Sequence, residues 1–502
     1  MEKSLDEVLA GLPVLERRGT AVISGVAHDS RRVKGGDLFV AIRGLRQDGH
    51  QFIPEAIGRG AAAVLVERPV EVPAGVAVAR VADTRAALGP VAASFYGYPA
   101  EKLLVVGVTG TNGKTTTTYL IKAILEEAGH IVGLIGTVRN LIGERELPAE
   151  RTTPEASDLQ ELLARMVAEG ATAAVLEVSS HAVVLHRIDG CFFDAGVFTN
   201  LTQDHLDFHG TLQAYLEAKA AFLAGLGRGR RFGGRKERAV AALNADDPQA
   251  SFIRRQIDEK KVRIVTYGRR EGAEVQGAEV DLEARGMAMR VLLPTGTLPL
   301  RLHLTGEFNV SNALAAAAVT WGLGIPPEAI QKGLAKVRGV PGRFEAVEEG
   351  QNFSVIVDYA HTPDGLEKIL RAVRGVTSGR VIAVFGCGGD RDRTKRPVMG
   401  EIAGREADYV VVTSDNPRSE DPAAICREIE EGLRPTARPY EVVLDRAQAI
   451  QRAVDLAQTG DAVVIAGKGH ETYQIFRDRT VHFDDREEAR RALRRRLARE
   501  GS

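Results

Sequence analysis

Residues 103–116 read LLVVGVTGTNGKTT, and this stretch decides the fold. Its first half is an apolar run typical of a parallel strand buried on both faces. The glycines let backbone N–H groups close around phosphate oxygens, and a helix predicted from about 115 to 128 adds the positive field of its N-terminus. Lys114 supplies a point charge for the β and γ phosphates, and a Thr hydroxyl can bind Mg²⁺. This order predicts a mononucleotide-binding site.

The loop at residues 107–116, called the phosphate loop below, departs from the general pattern for such sites. That pattern puts a glycine six positions before the lysine, where this chain has Val108. A glycine-rich turn without function is the alternative, but strand, lysine, double threonine and helix all fall in register. The residues predicted to bind the nucleotide here are Gly110, Thr111, Asn112, Gly113, Lys114, Thr115 and Thr116.

Outward from this loop, short β runs and helical segments alternate along most of the chain. A helix is predicted at 154–169, with Thr153 as its N-cap and Pro154 at its first position, and a buried strand at 173–178. Such alternation predicts an α/β fold with parallel sheets wound by helices. A second boundary is predicted near 338–343, where another α/β alternation begins. We therefore expect three domains, at residues 1–100, 101–337 and 338–502.

Composition excludes several classes of protein. Hydrophobic residues make up 44% and charged residues 26%, and the formal net charge is -1, which argues against a basic nucleic-acid binder or a polybasic membrane anchor. No apolar run suits a transmembrane helix, no signal peptide is predicted, and three unpaired cysteines suit reduced thiols. The Gly/Arg-rich stretch at 225–240 predicts a surface loop, and the basic tail at 486–500 a solvated helix. We expect a cytoplasmic monomer that acts on small molecules.

Polar side chains also follow two later strands of the predicted sheet. Glu177 ends a buried strand, and because parallel sheets place ligands at the carboxyl ends of their strands, it is aimed at Mg²⁺. The next strand leads through Asn200 into the polar run 202–210, whose residues taken singly are more often caps or turn residues. Lys219 lies in an alanine-rich helical segment. If buried, its pKa would fall, leaving an amine that can react with CO₂.

With these motifs the chain resembles the Mur ligase family over nearly its whole length. Residues 110–115 read GTNGKT, a form shared with folylpolyglutamate synthetases, and 199–210 match the pattern TNLxxDHLDxHG. The resemblance implies a UDP-binding domain, a central ATPase and a C-terminal Rossmann-like domain. It also implies that His205 binds a second Mg²⁺ and that Lys219 carries a carbamate that helps to hold magnesium. Further implied contacts of ATP are Asn200, Asn309, Asn312, Arg343, Asp358 and His361, although Asn309 alone suits a helix cap.

The resemblance extends to the segments that hold the first substrate. Ser30 is implied to contact the uridine part of a UDP-linked muramoyl dipeptide. The dipeptide is implied to lie against Thr152, Thr153, Ser179 and Arg187, and an arginine fork suits its carboxylate. Leu185 stands where many relatives have Gln, a departure that affects one substrate hydrogen bond and not the reaction.

The incoming amino acid is implied to be selected in the third domain. Asp415-Asn416-Pro417-Arg418 is the motif of members that add meso-diaminopimelate, whereas lysine-adding members lack the arginine. Diaminopimelate has a second carboxylate, which Arg418 can bind with two hydrogen bonds, so lysine would leave the arginine unpaired. The tetrad alone suits a proline turn with a surface arginine. Neighbouring segments favour the functional interpretation, and they add Arg391, Gly467 and Glu471, the last as acceptor for the substrate's ammonium.

The implied reaction belongs to peptidoglycan precursor synthesis, and so to cell shape and division. The γ-phosphoryl group of ATP passes to the D-glutamate side chain of UDP-N-acetylmuramoyl-L-alanyl-D-glutamate, and an amine of meso-diaminopimelate attacks the acyl-phosphate. A lysine-adding ligase and a folylpolyglutamate synthetase are the alternatives within this chemistry. A non-catalytic nucleotide-binding regulator would be expected to lack Glu177, His205 or Lys219, and the chain has all three. No Ser-His-Asp arrangement is evident, and the sequence alone supports neither His181 nor His209 as a base.

Overall fold

The computed structural model describes residues 2–44, 47–149, 151–228, 238–283 and 286–500. Within these ranges three sheets wound by helices follow one another along the chain, which confirms the predicted three-part α/β architecture. Residues 229–237 of the Gly/Arg-rich stretch lie outside them, so the surface loop predicted there stays a prediction. No helix in the described ranges is long and apolar enough to cross a membrane.

The first sheet lies entirely before the phosphate loop. The elements here are β1 (Lys3–Ser4), α1 (Leu5–Val8), β2 (Glu16–Arg18), β3 (Val22–Ile23), β4 (Gly25–Ala27), β5 (Asp37–Val40), α2 (Ile53–Gly58), β6 (Ala63–Val66), β7 (Ala77–Arg80) and α3 (Thr84–Phe95). The order β2-β7-β6-β5-β4 is parallel except for β2, and β1 pairs with β3. Apolar side chains of α1, α3 and the strands form one core cluster with Ala156 of the next unit, so the two units are packed together.

The central sheet has eleven strands in the described residues. Its strands are β8 (Leu104–Thr109), β9 (Val132–Ile135), β10 (Asn140–Ile142), β11 (Arg145–Leu147), β12 (Ala173–Glu177), β13 (Ala195–Phe198), β14 (Ala239–Asn244), β15 (Val262–Gly268), β16 (Val275–Glu283), β17 (Gly286–Leu293) and β18 (Gly296–Leu302). Its helices are α4 (Lys114–Glu127), α5 (Ala156–Ala168), α6 (Ser180–Val184), α7 (Leu206–His209), α8 (Leu212–Ala224), α9 (Ala250–Gln256), α10 (Glu307–Gly322) and α11 (Pro327–Lys336). Separate apolar clusters cover the two faces of this sheet, so its central strands are buried on both sides, as the apolar runs predict.

Strand order explains where the central unit places its polar groups. The sheet runs β9-β12-β8-β13-β14, with β8 parallel to the strands on both sides of it. The chain crosses to one side of β8 first and to the other side later, which makes β8 a topological switch point. The carboxyl ends of β8, β12 and β13 therefore meet at one edge, and they carry the phosphate loop, Glu177 and Asn200.

The last sheet is built in the same way. Its elements are β19 (Glu345–Ala346), β20 (Ser354–Asp358), α12 (Pro363–Val376), β21 (Val381–Phe385), α13 (Lys395–Glu406), β22 (Tyr409–Val412), α14 (Pro422–Leu433), β23 (Tyr440–Val442), α15 (Arg446–Leu456), β24 (Ala462–Ala466), β25 (Tyr473–Ile475), β26 (Thr480–His482) and α16 (Asp485–Glu500). The order β19-β20-β24-β21-β22-β23 is parallel except for β19. The segments after β20, β21, β22 and β24 thus leave the sheet at one edge.

One predicted helix start was wrong. α5 begins at Ala156, and its N-cap is Glu155, not Thr153. The Thr153 hydroxyl instead donates to the Glu177 carbonyl at 2.8 Å, and it accepts the Ser179 backbone N–H at 3.2 Å. The Thr153 hydroxyl, which the sequence pattern assigns to the N-terminus of the helix, is therefore hydrogen-bonded to the end of β12 instead.

Candidate active site

The phosphate loop joins β8 to α4 through glycines that no other residue can replace without strain. Gly110 has φ 148° and Gly113 has φ 84°. A Cβ atom at Gly110 would lie 1.8 Å from Thr199 Oγ1, and one at Gly113 would lie 2.2 Å from Asn312 Oδ1. The loop backbone is therefore pressed against β13 on one side and α10 on the other, as an N–H cradle for phosphate requires.

Replacing Gly113 by alanine is expected to weaken nucleotide binding. Gly129, just beyond the other end of α4, is a matched control because it has φ 90° with open space around it. Both substitutions are expected to lower the free energy of unfolding by about 1–2 kcal/mol, because alanine would have to adopt a left-handed backbone conformation. Only Gly113→Ala also displaces Asn312, so it alone is expected to lower ATP affinity, by about tenfold or more (~1.4 kcal/mol). Titration with a fluorescent ATP analogue checks this, and equal affinities for the two variants would contradict it.

Two lysine side chains converge on one carbonyl of this loop. Lys114 Nζ donates to Gly110 O at 2.9 Å and to Thr111 O at 2.8 Å, and Lys219 Nζ donates to the same Gly110 O at 2.8 Å. Lys219 is 1% exposed, so the side chain is buried, as a lowered pKa of its amine requires. Burial, and then the charge of Lys114, lowers the pKa of Lys219 well below its usual value. Since two ammonium groups at one acceptor repel each other, Lys219 is poised to be a neutral amine.

Glu177 is held at the adjacent strand end by a residue that sequence reasoning missed. Its Oε1 accepts the backbone N–H of Thr137 at 2.9 Å, and its Oε2 accepts the Thr137 hydroxyl at 3.0 Å. That hydroxyl is also 3.0 Å from the Thr152 hydroxyl. Thr137 follows β9 closely, so the rule that singled out Glu177, a polar residue beyond the carboxyl end of a parallel strand, also applies to it.

The oxygen groups at this edge fit a magnesium ion. Glu177 is 1% exposed, and the Thr115 hydroxyl opens α4 beside the loop. Mg²⁺ prefers such oxygen ligands and usually completes its shell with phosphate oxygens and water. Across the described part of the chain no three His, Cys, Asp or Glu side chains lie close enough to hold a metal ion. The oxygens of Glu177 and Thr115 are of the kind that Mg²⁺ binds together with phosphate oxygens.

Three histidines pack together beside the two lysines. The His181 ring is 4.8 Å from the His205 ring and stacks on Phe208 at 4.1 Å, and His209 Nε2 is 2.9 Å from Ser180 Oγ. Burial lowers the pKa of His181, His205 and His209 to about 4 in each case. All three are therefore neutral at pH 7, and a neutral imidazole can bind a metal ion.

The C-terminal unit reaches the phosphate loop through two side chains. Arg343 Nη2 donates to Thr115 Oγ1 at 3.1 Å, and its guanidinium lies 4.4 Å from the centre of the Tyr359 ring. Asp364, in the first turn of α12, accepts from Asn112 Nδ2 at 2.6 Å. Sequence reasoning missed Asp364 because an acidic residue there suits ordinary helix capping. The phosphate loop of the central unit is thus also contacted by the C-terminal unit.

Other residues predicted to contact the nucleotide contact the phosphate loop itself or lie behind it. Asn200 Oδ1 accepts the Asn112 backbone N–H at 3.0 Å, and Thr116 is buried in the first turn of α4. Asn312 Nδ2 donates to Asn309 Oδ1 at 3.0 Å, and Asn309 Nδ2 donates to the Thr305 carbonyl at 2.8 Å. Gly306 is the N-cap of α10, so Asn309 does not cap the helix. The two asparagines brace the far side of the loop.

Asp358 and His361 make hydrogen bonds to the backbone of their own unit. Asp358 Oδ2 accepts the Phe344 backbone N–H at 2.7 Å, and its Oδ1 accepts that of Ala360 at 2.8 Å. His361 Nδ1 is 2.8 Å from the Tyr359 carbonyl, and burial lowers its pKa to about 4. Asp358 therefore holds the turn that carries Arg343.

The residues predicted for the UDP-linked substrate fall in two places. Ser30 Oγ donates to Glu55 Oε2 at 2.7 Å within the first unit. Thr152, Thr153 and Ser179 meet at the end of β12, where Arg187 Nη1 donates to the Thr153 carbonyl at 3.3 Å. Arg187 also lies 3.0 Å from Glu155, which Arg151 and Arg85 contact as well. Three arginines around one buried carboxylate leave positive charge for an anionic substrate.

The residues predicted to select the amino acid lie at the carboxyl edge of the last sheet. Arg418 has φ 51° and its Nη1 donates to the Gly389 carbonyl at 2.9 Å. A Cβ atom at Gly388 would lie 2.9 Å from Arg418 Nη1 and 3.8 Å from Arg391 Cγ, so the two arginine side chains lie against the same glycine. Burial, and then the charge of Arg418, lowers the pKa of Arg391. A Cβ atom at Gly389 would lie 1.9 Å from the Pro417 carbonyl, which shows how closely the two segments pack. Paired guanidinium groups suit a carboxylate.

A third segment closes this edge. Asp415 Oδ1 accepts the Asn416 backbone N–H at 2.6 Å, and Asn416 Nδ2 donates to Glu471 Oε2 at 2.8 Å. Gly467 has φ 119°, and a Cβ atom there would lie 2.6 Å from Asp415 Oδ2. The structure therefore brings the seven residues predicted for this site into two adjoining groups, one cationic and one anionic.

Comparisons with known proteins agree with this arrangement. The Mur ligase family, catalytic domain matches residues 22–96, the Mur ligase middle domain 108–320, and the Mur ligase, glutamate ligase domain 342–469. The chain belongs to the Mur ligase family, and it is an ATP-dependent ligase that forms an amide bond.

Individual relatives are similar over nearly their full length. A Geobacillus kaustophilus protein named UDP-N-acetylmuramoyl-L-alanyl-D-glutamate--2,6-diaminopimelate ligase is 48% identical over 478 residues, 95% of this chain and 96% of the relative. A Caldanaerobacter subterraneus protein of the same name is 46% identical over 465 residues, 93% of each. A solved structure with that name has 33% identity and a TM-score of 0.69, covering 99% of this chain and 100% of the other.

Proposed function

We propose that this protein adds meso-diaminopimelate to UDP-N-acetylmuramoyl-L-alanyl-D-glutamate in peptidoglycan precursor synthesis. The observation that carries the proposal is that Arg418 and Arg391 both lie against Gly388, at the sheet edge where Asn416 also contacts Glu471, in a chain whose relatives bear that name. A lysine substrate has no second carboxylate for these arginines. We further propose that the protein works as a cytoplasmic monomer, with domains at residues 1–100, 101–337 and 338–502, and so serves cell shape and division.

ATP is proposed to bind between the central and C-terminal units. The amides of residues 110–114, Lys114 and the hydroxyls of Thr115 and Thr116 would hold its phosphates. Arg343 and Asn200, which contact this loop, would add direct hydrogen bonds. Asn309, Asn312, Asp358 and His361 would line or brace the rest of the nucleotide site.

Two magnesium ions are proposed at the edge formed by β8, β12 and β13. Thr115, Glu177 and His205 would provide ligands, and Lys219 would contribute through a carbamate. In that reaction the neutral amine of Lys219 attacks CO₂, a C–N bond forms and one proton is released. When bound, magnesium neutralises charge that builds on the transferred phosphoryl group. The burial of Lys219 and its closeness to Lys114 support the carbamate, because a negative group there would pair with Lys114.

The reaction requires no nucleophile from the protein. A carboxylate oxygen of the D-glutamate side chain attacks the γ-phosphorus, the bond to the β-phosphate oxygen breaks, and ADP leaves. An amine of diaminopimelate then attacks the acyl carbon, phosphate leaves, and the amine loses a proton. Thr152, Thr153, Ser179 and Arg187 would hold the dipeptide and Ser30 the uridine. Arg391, Arg418, Asp415, Asn416, Pro417, Gly467 and Glu471 would hold the amino acid.

A competition experiment tests the choice of amino acid. The purified protein, ATP, Mg²⁺ and the UDP-dipeptide are supplied with equal concentrations of meso-diaminopimelate and lysine, and the products are separated by mass. We expect the diaminopimelate product almost alone. Arg418→Ala is expected to lower that preference by about 100-fold, since a charge-assisted carboxylate pair is lost. Arg477→Ala is the matched control, because Arg477 contacts the Ser419 carbonyl of the same loop from an exposed position. A lysine product from the unmodified protein would contradict the proposal.

A further inference from the structure

Lys468 is a fully buried cation at the carboxyl edge of the last sheet, beside the residues proposed to hold the amino acid. Its side chain is 0% exposed. Its Nζ lies 3.1 Å from Asn416 Oδ1 and 3.1 Å from Glu471 Oε2. Burying an ammonium costs free energy because the group loses its hydration, so its charge has to be compensated by partners such as the Glu471 carboxylate.

The contacts of Lys468 leave one side of Glu471 available. Glu471 Oε2 accepts hydrogen bonds from Lys468 Nζ at 3.1 Å and from Asn416 Nδ2 at 2.8 Å, and Oε1 accepts from neither. The Ile475 backbone N–H also donates to Asn416 Oδ1 at 3.0 Å, so Asn416 is held independently of the lysine. The Glu471 carboxylate is therefore held through only one of its two oxygens, Oε2, by groups of the protein interior.

Three acidic side chains and two cations lie together around Glu471. Asp415, Glu471 and Asp485 are acidic, whereas Arg446 and Lys468 are the cations among them, and Arg446 interacts electrostatically with all three acidic groups. Within this group of five the acidic side chains outnumber the cations by one, and Arg391 and Arg418 form the adjoining cationic group. A substrate ammonium would be attracted to the acidic group, and a substrate carboxylate to the cationic one.

We propose that Lys468 is a positioning residue for the incoming amino acid, holding Glu471 from its buried side so that the other carboxylate oxygen receives the substrate's ammonium. This inference rests on the proposed function. It adds a residue to that site that acts only through Glu471 and contacts no substrate atom itself.

The electrostatics of Glu471 give the proposal a distinctive signature. Burial raises the pKa of Glu471, the charge of Asp415 raises it further, and Lys468 and Asn416 oppose the rise. The other ionisable groups that face Glu471 are Arg446, Tyr359 and Tyr473. Removing the lysine would leave burial and Asp415 to keep the carboxyl group protonated, and a neutral carboxyl binds an ammonium poorly. The carboxylate would form again only as the pH rises through its raised pKa.

The test is the pH dependence of kinetics in the full-length Lys468→Met variant. At pH 7 we expect its KM for diaminopimelate to rise by about 10- to 100-fold, the effect of a lost charged hydrogen bond. We expect KM for ATP and for the UDP-dipeptide to stay unchanged. The raised KM is expected to fall again with increasing pH, and the unmodified protein should lack this trend in the same window.

Gln474→Met is the matched control. Gln474 is also buried, and its Nε2 donates to the Asp415 carbonyl at 2.7 Å, so it supports the same segment without carrying charge. Its loss is expected to change KM without any pH trend. The proposal is overturned if both variants behave alike across pH, or if Lys468→Met leaves KM for diaminopimelate unchanged.

A second variant covers the case in which Lys468→Met does not fold. Lys468→Met combined with Glu471→Gln removes both charges together. If the lysine acts through Glu471, this double variant should bind diaminopimelate as Glu471→Gln alone does, because the two effects are not additive. A further loss of about tenfold or more would overturn the proposal. The unmodified protein is assayed first, since its failure with diaminopimelate would refute the proposed function itself.

Discussion

Replacing Lys219 by alanine is expected to reduce ATP-dependent ligation by about 1,000-fold, a loss typical of removing a group that stabilises charge at the reacting phosphate. Lys219 is 1% exposed and donates to the Gly110 carbonyl beside Lys114. A neutral amine in this position can bind CO₂, and the resulting carbamate would supply the anion that both Lys114 and a magnesium ion need. The measurement is the rate of phosphate release with both substrates present.

Chemical rescue distinguishes a carbamate from an ordinary lysine. Alanine leaves a space of about the size of a short carboxylate, so acetate or propionate is expected to restore part of the activity of Lys219→Ala. Intact-mass analysis of the unmodified protein in bicarbonate should show the added CO₂. Lys122→Ala is the control, because Lys122 pairs with Glu126 at 2.6 Å within α4. Full activity of Lys219→Ala without any additive would refute the assignment.

The second large effect is on stability, in the variant Arg446→Ala. Arg446 and Asp485 are both 0% exposed and form a two-pronged ion pair at 2.7 Å. Removing one partner leaves an unpaired buried charge, which is expected to lower the free energy of unfolding by about 3–5 kcal/mol. Urea denaturation of the purified variant measures this. Arg452→Ala, which breaks an exposed pair with Glu441, is the control and is expected to cost at most about 1 kcal/mol.

The same ion pair also supports the amino-acid site. Arg446 Nη2 donates to the Ala466 carbonyl at 3.0 Å and Nη1 to the Ser414 carbonyl at 3.3 Å, at the ends of β24 and β22. Replacing both partners, as Arg446→Met with Asp485→Leu, is expected to recover most of the lost stability, since apolar pairs of similar size tolerate burial well. It is not expected to recover the affinity for diaminopimelate. Stability of Arg446→Ala equal to that of Arg452→Ala would contradict this account.

Local patterns in the sequence were enough for much of the fold and part of the site. The apolar run before Gly107, the glycine spacing and Lys114 predict a strand, a loop and a helix, because backbone freedom and burial are properties of neighbouring residues. Glu177 could be placed at a ligand-binding edge for the same reason, as it ends an apolar strand. The helix start at Thr153 failed because a distant strand end competed for its hydroxyl.

The sequence by itself determined which chemical groups the chain carries and on which kind of element each one lies. Only the tertiary structure decided that Lys219 shares a carbonyl with Lys114, that Thr137 holds both oxygens of Glu177, and that Asp364 contacts Asn112 from another unit. These partners lie far apart along the chain, and no periodicity within a segment records such contacts. The buried charges of Lys468 and Arg446 likewise depend on packing, because desolvation and pairing arise only where separate elements exclude water together.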